Sequence, residues 1–383
     1  MKLFPFPSLH APGALALLAL LALHGISALP ARAEEKSRPL DVEWRGGFQG
    51  GYSLGQNGQG WPQPWREPLA NNNRGGFYLL QARAQALIRF DSTFSAVVVG
   101  NLAASELQEA YIQKSWGTWR VKAGKLLGAG LESATGMDEF AQTLALRPRY
   151  ARVWNYHKQL LNFRDYGIQG EKDFLDGRVQ NRLFFHNANG ENVINDEPSF
   201  PAGKTTQALG IDYALSAQVS PYSTVGGHVG ARADRQWDDF LGNHDFWDVG
   251  YWLKQNAVVD GSFFHRMDFP RLHVFNEAMA LANRTVLHPG TDDPWITWGA
   301  STLARFDAWR CWSPFLGYEF FDNSDGIYKD DALHMVRLGT LFRPAPEQYP
   351  DLRITGQYTR ALEEGGNNLL GNDILYVQVQ SLF

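Results

Sequence analysis

Basic side chains recur in this chain on one parity of short alternating stretches. Arg83 and Arg89 lie in "YLLQARAQALIRF", Arg120 and Lys122 in "WRVKAGKL", and Arg178 and Arg182 in "GRVQNRLFF". Arg45, Arg232, Arg305, Arg337 and Arg353 sit in comparable stretches. Glu43, Glu109, Asp165, Glu171, Asp212 and Glu319 share the same parity. In an extended strand, residues two apart point to one face. Such a face, wrapped around a water-filled space, attracts anions where bases prevail and holds them by charge-assisted bonds. Eleven bases against six acids make this one mildly basic. The competing reading is that these charges pair with one another and brace a wall. "RPRYAR" adds Arg147, Arg149 and Arg152, followed by Lys158, with Glu132, Asp138 and Glu139 nearby to offset them.

Other reactive combinations are thinner. "HDFWD" sets His244 beside Asp245 and Asp248, a pairing a hydrolase would use. It falls in a polar connecting stretch, where such residues are ordinary. His265, Asp268 and His273 match no strong metal-ligand spacing and read as solvated loop residues. Cys311, the single cysteine, lies in the strand-like "WRCWSPFLGY" with no base beside it and reads as a packed small residue. There is no phosphate-cradling G-x-x-x-x-G-K motif and no haem attachment motif. No catalytic residue, cofactor or metal site is expected.

The elements that must position these residues are strands. "LGIDYALSAQV" alternates Leu209, Ile211, Tyr213, Leu215, Ala217 and Val219 with Gly210, Asp212, Ser216 and Gln218. "PWITWGASTLARF" sets Ile296, Trp298, Ala300, Ala304 and Phe306 opposite Thr297, Ser301 and Arg305. In "YLLQARAQALIRF" the even-numbered residues from Tyr78 to Ile88 form the apolar side. Sixteen such segments fall near 42–53, 77–90, 92–102, 106–116, 118–127, 161–174, 178–189, 205–219, 224–235, 245–258, 271–282, 294–306, 309–322, 331–343, 352–362 and 373–383. Short connections, such as those at 91–92, 117–118, 175–177 and 220–223, alternate with long ones, as at 54–76, 128–160 and 190–204. An even number of amphipathic strands joined in this rhythm predicts an all-β, antiparallel up-and-down transmembrane barrel. The 13 Trp, 14 Tyr and 24 Phe suit aromatic girdles at two membrane interfaces.

Residues 1–33 read as a secretory signal peptide: Lys2, the apolar "ALALLALLAL" and "ARA" before Glu34. Residues 34–383 would then be the barrel domain, with 33 basic against 40 acidic residues, a net of −7. That balance disfavours a nucleic-acid partner. After Ala33 no run of 18 apolar residues occurs, so no membrane-spanning helix is expected. "ILYVQVQSLF" alternates to the last residue, Phe383, and is expected to pair with the first strand, since an open sheet edge is not tolerated in lipid.

"LQEAYIQKSWGTWRVKAGKL" at 107–126 and "YGIQGEKDFLDGRVQNRLFFHNANGEN" at 166–192 resemble the phosphate- and pyrophosphate-selective porins of Gram-negative outer membranes. The likeness covers about a third of the chain, roughly 80 to 190. It implies a sixteen-stranded homotrimer in outer-membrane lipid, with the third outer loop folded inward; 128–160 stands where that loop would be. Phe383 resembles the signal read by the barrel-assembly machinery, although Ser381 departs from its usual pattern. The architecture is carried over and the phosphate specificity is not, because the chain is acidic and lacks a dense lysine cluster. The expected function is a channel for passive diffusion of small polar or anionic solutes. The alternatives are a sheath for a partner protein, a polysaccharide exporter, and an outer-membrane hydrolase.

Overall fold

A computed structural model describes residues 41–55, 76–103, 106–128, 130, 164–187, 207–235, 255–285, 295–324, 332–349, 351–363 and 373–382. They form sixteen strands: β1 Asp41–Gly55, β2 Gly76–Arg89, β3 Phe94–Asn101, β4 Glu106–Trp116, β5 Trp119–Leu127, β6 Arg164–Phe174, β7 Val179–His186, β8 Gln207–Ser220, β9 Ser223–Arg235, β10 Gln255–Asp268, β11 Leu272–Thr285, β12 Trp295–Phe306, β13 Trp312–Ser324, β14 Leu333–Phe342, β15 Arg353–Glu363 and β16 Ile374–Leu382. Each pairs with the next, and β1 pairs with β16, so the sheet closes. The closing ladder is antiparallel and runs from Gly47 opposite Leu382 to Gly55 opposite Ile374. Phe383 itself, and the signal segment, lie outside the described residues.

Alternation decides which way each strand faces. On β8, Leu209, Ile211, Tyr213, Leu215 and Val219 are exposed while Asp212 is buried. On β16, Leu375 and Val377 face out, and Tyr376, Gln378 and Gln380 are buried on the inner side. Trp44, Phe48 and Tyr52 on β1 all face outward. The eight residue steps from Trp44 to Tyr52 rise about 26 Å along the strand, or about 20 Å along a barrel axis at a usual tilt. That is close to the height of an outward apolar band, about 25 Å. Phe90, Trp116, Trp119, Phe174, Tyr222, Phe269, Trp309 and Trp312 gather at the short-turn rim as one aromatic girdle.

Fifteen strands lie close to their expected places. The exception is β10, expected at 245–258 and found at Gln255–Asp268. "HDFWDVGYWLK" alternates as a strand would, but thirteen residues of "QNAVVDGSFFHRMD" pair with β9 and thirteen with β11. Alternation scores pattern, whereas pairing length scores hydrogen bonds, and the latter wins. Two smaller corrections follow from local geometry. The register between β1 and β2 shifts at Gln49/Gly50, so Leu80 is an extra residue and Leu79 faces outward. Cys311 lies in the turn before β13 rather than in a strand, and its carbonyl accepts a hydrogen bond from the Arg343 amide at 2.8 Å.

Gly124, on β5, has φ +137, and a Cβ there would collide with the carbonyl oxygen of Ala110 on β4. Only glycine suits both conditions. Gly124→Val is expected to cost at least about 1–3 kcal/mol. Urea unfolding of the detergent-solubilised barrel checks this; an unchanged midpoint would refute it.

Candidate functional site

The inner wall carries the polar chemistry, and most of it is paired. Near the short-turn rim, Arg89 on β2 reaches Asp41 at 2.9 Å and also bonds Glu43, which Arg45 bonds from the same strand. On β5, Arg120 donates to Glu171 at 2.8 Å and to Asp173 at 3.1 Å, and Lys122 donates to Glu171 at 2.6 Å. Arg182 lies directly opposite Glu171 in the β6–β7 register. Nearer mid-wall, Glu109 on β4 is shared by Arg83 at 3.5 Å and Arg164 at 3.2 Å. Arg337 on β14 donates to Glu319 on β13. Both have almost no contact with water, at 6% and 0% side-chain exposure.

At the short-turn end of β10 to β12 a second group forms. His273 lies 3.0 Å from Asp268 and 3.1 Å from Asp307, and Arg305 lies 3.2 Å from Asp307. Burial would push the Asp307 carboxyl up, but the hydrogen bond from Ser313, with Arg305 and His273 beside it, holds it below the ordinary carboxylate value. His265 stands apart, 2.9 Å from Ser223. Of the three residues weighed from sequence, the fold therefore joins only Asp268 and His273.

A third group was not foreseen. Asp165 on β6, His186 on β7, Asp212 on β8, His228 on β9 and Asp260 on β10 form a row across five neighbouring strands. His186 Nδ1 is 2.7 Å from Asp165 and its Nε2 is 3.2 Å from Asp212. His228 Nε2 bonds Asp260, and its Nδ1 is 2.7 Å from Ser262 Oγ. The side chains of all five are fully buried. Asp260 escaped notice because β10 was expected ten residues early, and Glu277, buried on β11, was missed in the same region.

These placements revise the expected excess of bases. Asp173, Asp260 and Glu277 join the six inner carboxylates and the buried Arg164 and Lys125 join the bases, while Arg178 moves into an exposed turn. Arg232 is buried on β9 opposite Gly210 of β8, and Arg353 faces Gln380 across β15 and β16. Arg147, Arg149, Arg152 and Lys158, with Glu132, Asp138 and Glu139, lie outside the described residues, as do His244, Asp245 and Asp248. They belong to the connections after β5 and after β9.

The wall is expected to depend on its buried pairs. Arg337→Met alone leaves Glu319 buried without this partner and should cost about 3–5 kcal/mol. The double variant Glu319→Leu/Arg337→Met should recover most of that loss. Urea unfolding across the double-mutant cycle measures the coupling; additive losses would show that the pair does not hold the wall.

No family model matches the chain, and no curated protein matches it. Solved structures do. The outer-membrane OmpT of Vibrio cholerae superposes with TM-score 0.60 at 9% identity, covering 91% of this chain and 99% of that one. The outer-membrane channel DcaP of Acinetobacter baumannii gives 0.59 at 8% identity, covering 90% and 97%. Salmonella typhi OmpF, in complex with daunomycin, gives 0.55 at 11% identity, covering 89% and 97%. At such identities the likeness is one of fold: this chain has the closed sixteen-strand barrel of outer-membrane proteins.

Proposed function

We propose that the chain is a Gram-negative outer-membrane porin, exported by cleavage after Ala33, through which small polar solutes diffuse passively. The observation that carries this reading is the two-faced wall: an outward apolar surface with an aromatic rim, and an inward surface of Arg, Asp, Glu, His and Gln. Barrels of sixteen strands leave an aqueous lumen in porins. The solved structures above support the reading by fold, and DcaP is described as a channel. A form of Vibrio cholerae OmpT described as a trimer, with TM-score 0.61 at 8% identity, supports a homotrimer. The phosphate-selective resemblance contributes architecture only.

Selectivity is assigned to the connection after β5. The wall charges largely cancel in pairs, so they set a polar surface with little net sign. Arg147, Arg149, Arg152 and Lys158 outnumber Glu132, Asp138 and Glu139 in that connection, and folding it inward biases the channel to anions. The near-complete burial of Glu319, Arg337 and Arg232 favours a narrow lumen.

Catalysis is not part of this reading. Ser262, His228 and Asp260 are strung in the order of a hydrolytic triad, but the His228 and Asp260 side chains are fully buried in the wall. Ser262, itself half-buried, is read as orienting His228.

Planar-bilayer recording tests the reading. The protein should give small ohmic conductance steps and an anion-side reversal potential under a salt gradient. Two unit charges 4 Å apart interact by about 1 kcal/mol in water. Replacing Arg147, Arg149 and Arg152 together with Gln should therefore cut the anion-to-cation permeability ratio several-fold. A silent protein would remove the channel; an unchanged ratio would remove the loop's role in selectivity.

A further inference from the structure

We propose that Asp212, His228 and Asp260 form a binding site in the barrel wall for a divalent transition-metal cation of the zinc class. Three features point to it. The first is convergence. One donor atom from each of the three residues lies within 4.8 Å of the other two, all three side chains are buried, and each comes from a different strand. An imidazole with two carboxylates is the N/O donor set that borderline cations such as zinc prefer, and three protein ligands leave a position for water.

The second feature is the backbone beneath them. Gly230 on β9 stands directly opposite both Asp212 on β8 and Asp260 on β10. The two carboxylates therefore flank, on one cross-strand row, a residue with no side chain. His228, two positions along β9 on the same face, reaches into that row. Beside it, a Cβ on Gly210 would run into the His186 imidazole. Gly210 thus makes room for the His186 imidazole beside the row.

The third feature is the outer layer of contacts. Ser262 Oγ lies 2.7 Å from His228 Nδ1, which leaves Nε2 as the nitrogen directed at Asp260. His186, held at 2.7 Å by Asp165, contacts Asp212 at 3.2 Å. Metal-binding histidines are oriented by such a second bond, and metal-binding carboxylates are themselves hydrogen-bonded. When the cation binds, His228 ligates through Nε2 as the neutral imidazole with its one proton on Nδ1, donated to Ser262 Oγ; a neutral ring reaches that form by moving its proton from Nε2 to Nδ1, and an imidazolium by releasing its Nε2 proton to solvent.

The site rests on the wall's own residues and does not depend on the channel reading. The test uses the full barrel, stripped with chelator in urea and refolded in detergent with or without zinc, and then dialysed. Metal analysis should find about one zinc per chain, and refolding with cobalt should give the visible absorption of a low-symmetry N/O site. His228→Gln and Asp260→Asn should each abolish stoichiometric binding, whereas His273→Gln, at the short-turn rim, should retain it. Heat-modifiable gel mobility shows which variants have folded. Should His228→Gln fail to fold, Asp212→Asn, which keeps volume and polarity, answers the same question. Zinc bound below about a tenth of an equivalent by the parent, or retained in full by a folded His228→Gln or Asp212→Asn, overturns the proposal.

Discussion

The ladder between β1 and β16 is the constraint on which the rest depends. In hydrocarbon no water satisfies a bare N–H or C=O, so a sheet must close on itself. Nine residue pairs, from Gly47–Leu382 to Gly55–Ile374, complete that closure. Once the sheet is closed, every strand has a fixed inside and outside, and period-two alternation becomes a rule with consequences at every position. Leu375 and Val377 go to lipid, and Gln378 and Gln380 go inward, because the ladder on both sides leaves no other choice.

Closure also sets the electrostatics. Side chains that alternate along one strand meet, inside, those of its two neighbours. Arg120 and Lys122 on β5 converge on Glu171 of β6, and Arg337 on β14 converges on Glu319 of β13. Shielded from bulk water, such charges attract more strongly and cost more when separated. The wall is therefore cross-braced by its polar face, while its outer face needs only to be apolar.

The histidine–carboxylate row follows the same logic with a different outcome. Asp165, His186, Asp212, His228 and Asp260 come from five consecutive strands, and antiparallel pairing places them side by side. Gly210 and Gly230 lie among them. The missing side chain at Gly210 leaves space that the His186 imidazole occupies, and polar groups concentrate in one sector. On β13 and β14 the inner face instead carries Phe315, Phe321, Leu333, Met335 and Leu341 around the Glu319–Arg337 pair. The inner wall is uneven in polarity as a result.

Much of this architecture was legible in the amino-acid sequence. Alternation of apolar and polar residues is a local property, so the strands, their inner and outer faces and the short and long connections could be read without knowing any partner. The same holds for the inward placement of Arg83, Glu109, Glu171 and Arg337. It failed where two alternating stretches competed, at 245–258 and Gln255–Asp268, because only pairing with β9 and β11 separates them. The pairs themselves were beyond reach. Glu109 meets Arg164 from 55 residues away, and His186 joins Asp165 and Asp212 only through the register of three strands. A strand's period tells which face a side chain takes; register and closure, which are properties of the whole sheet, decide what it meets there.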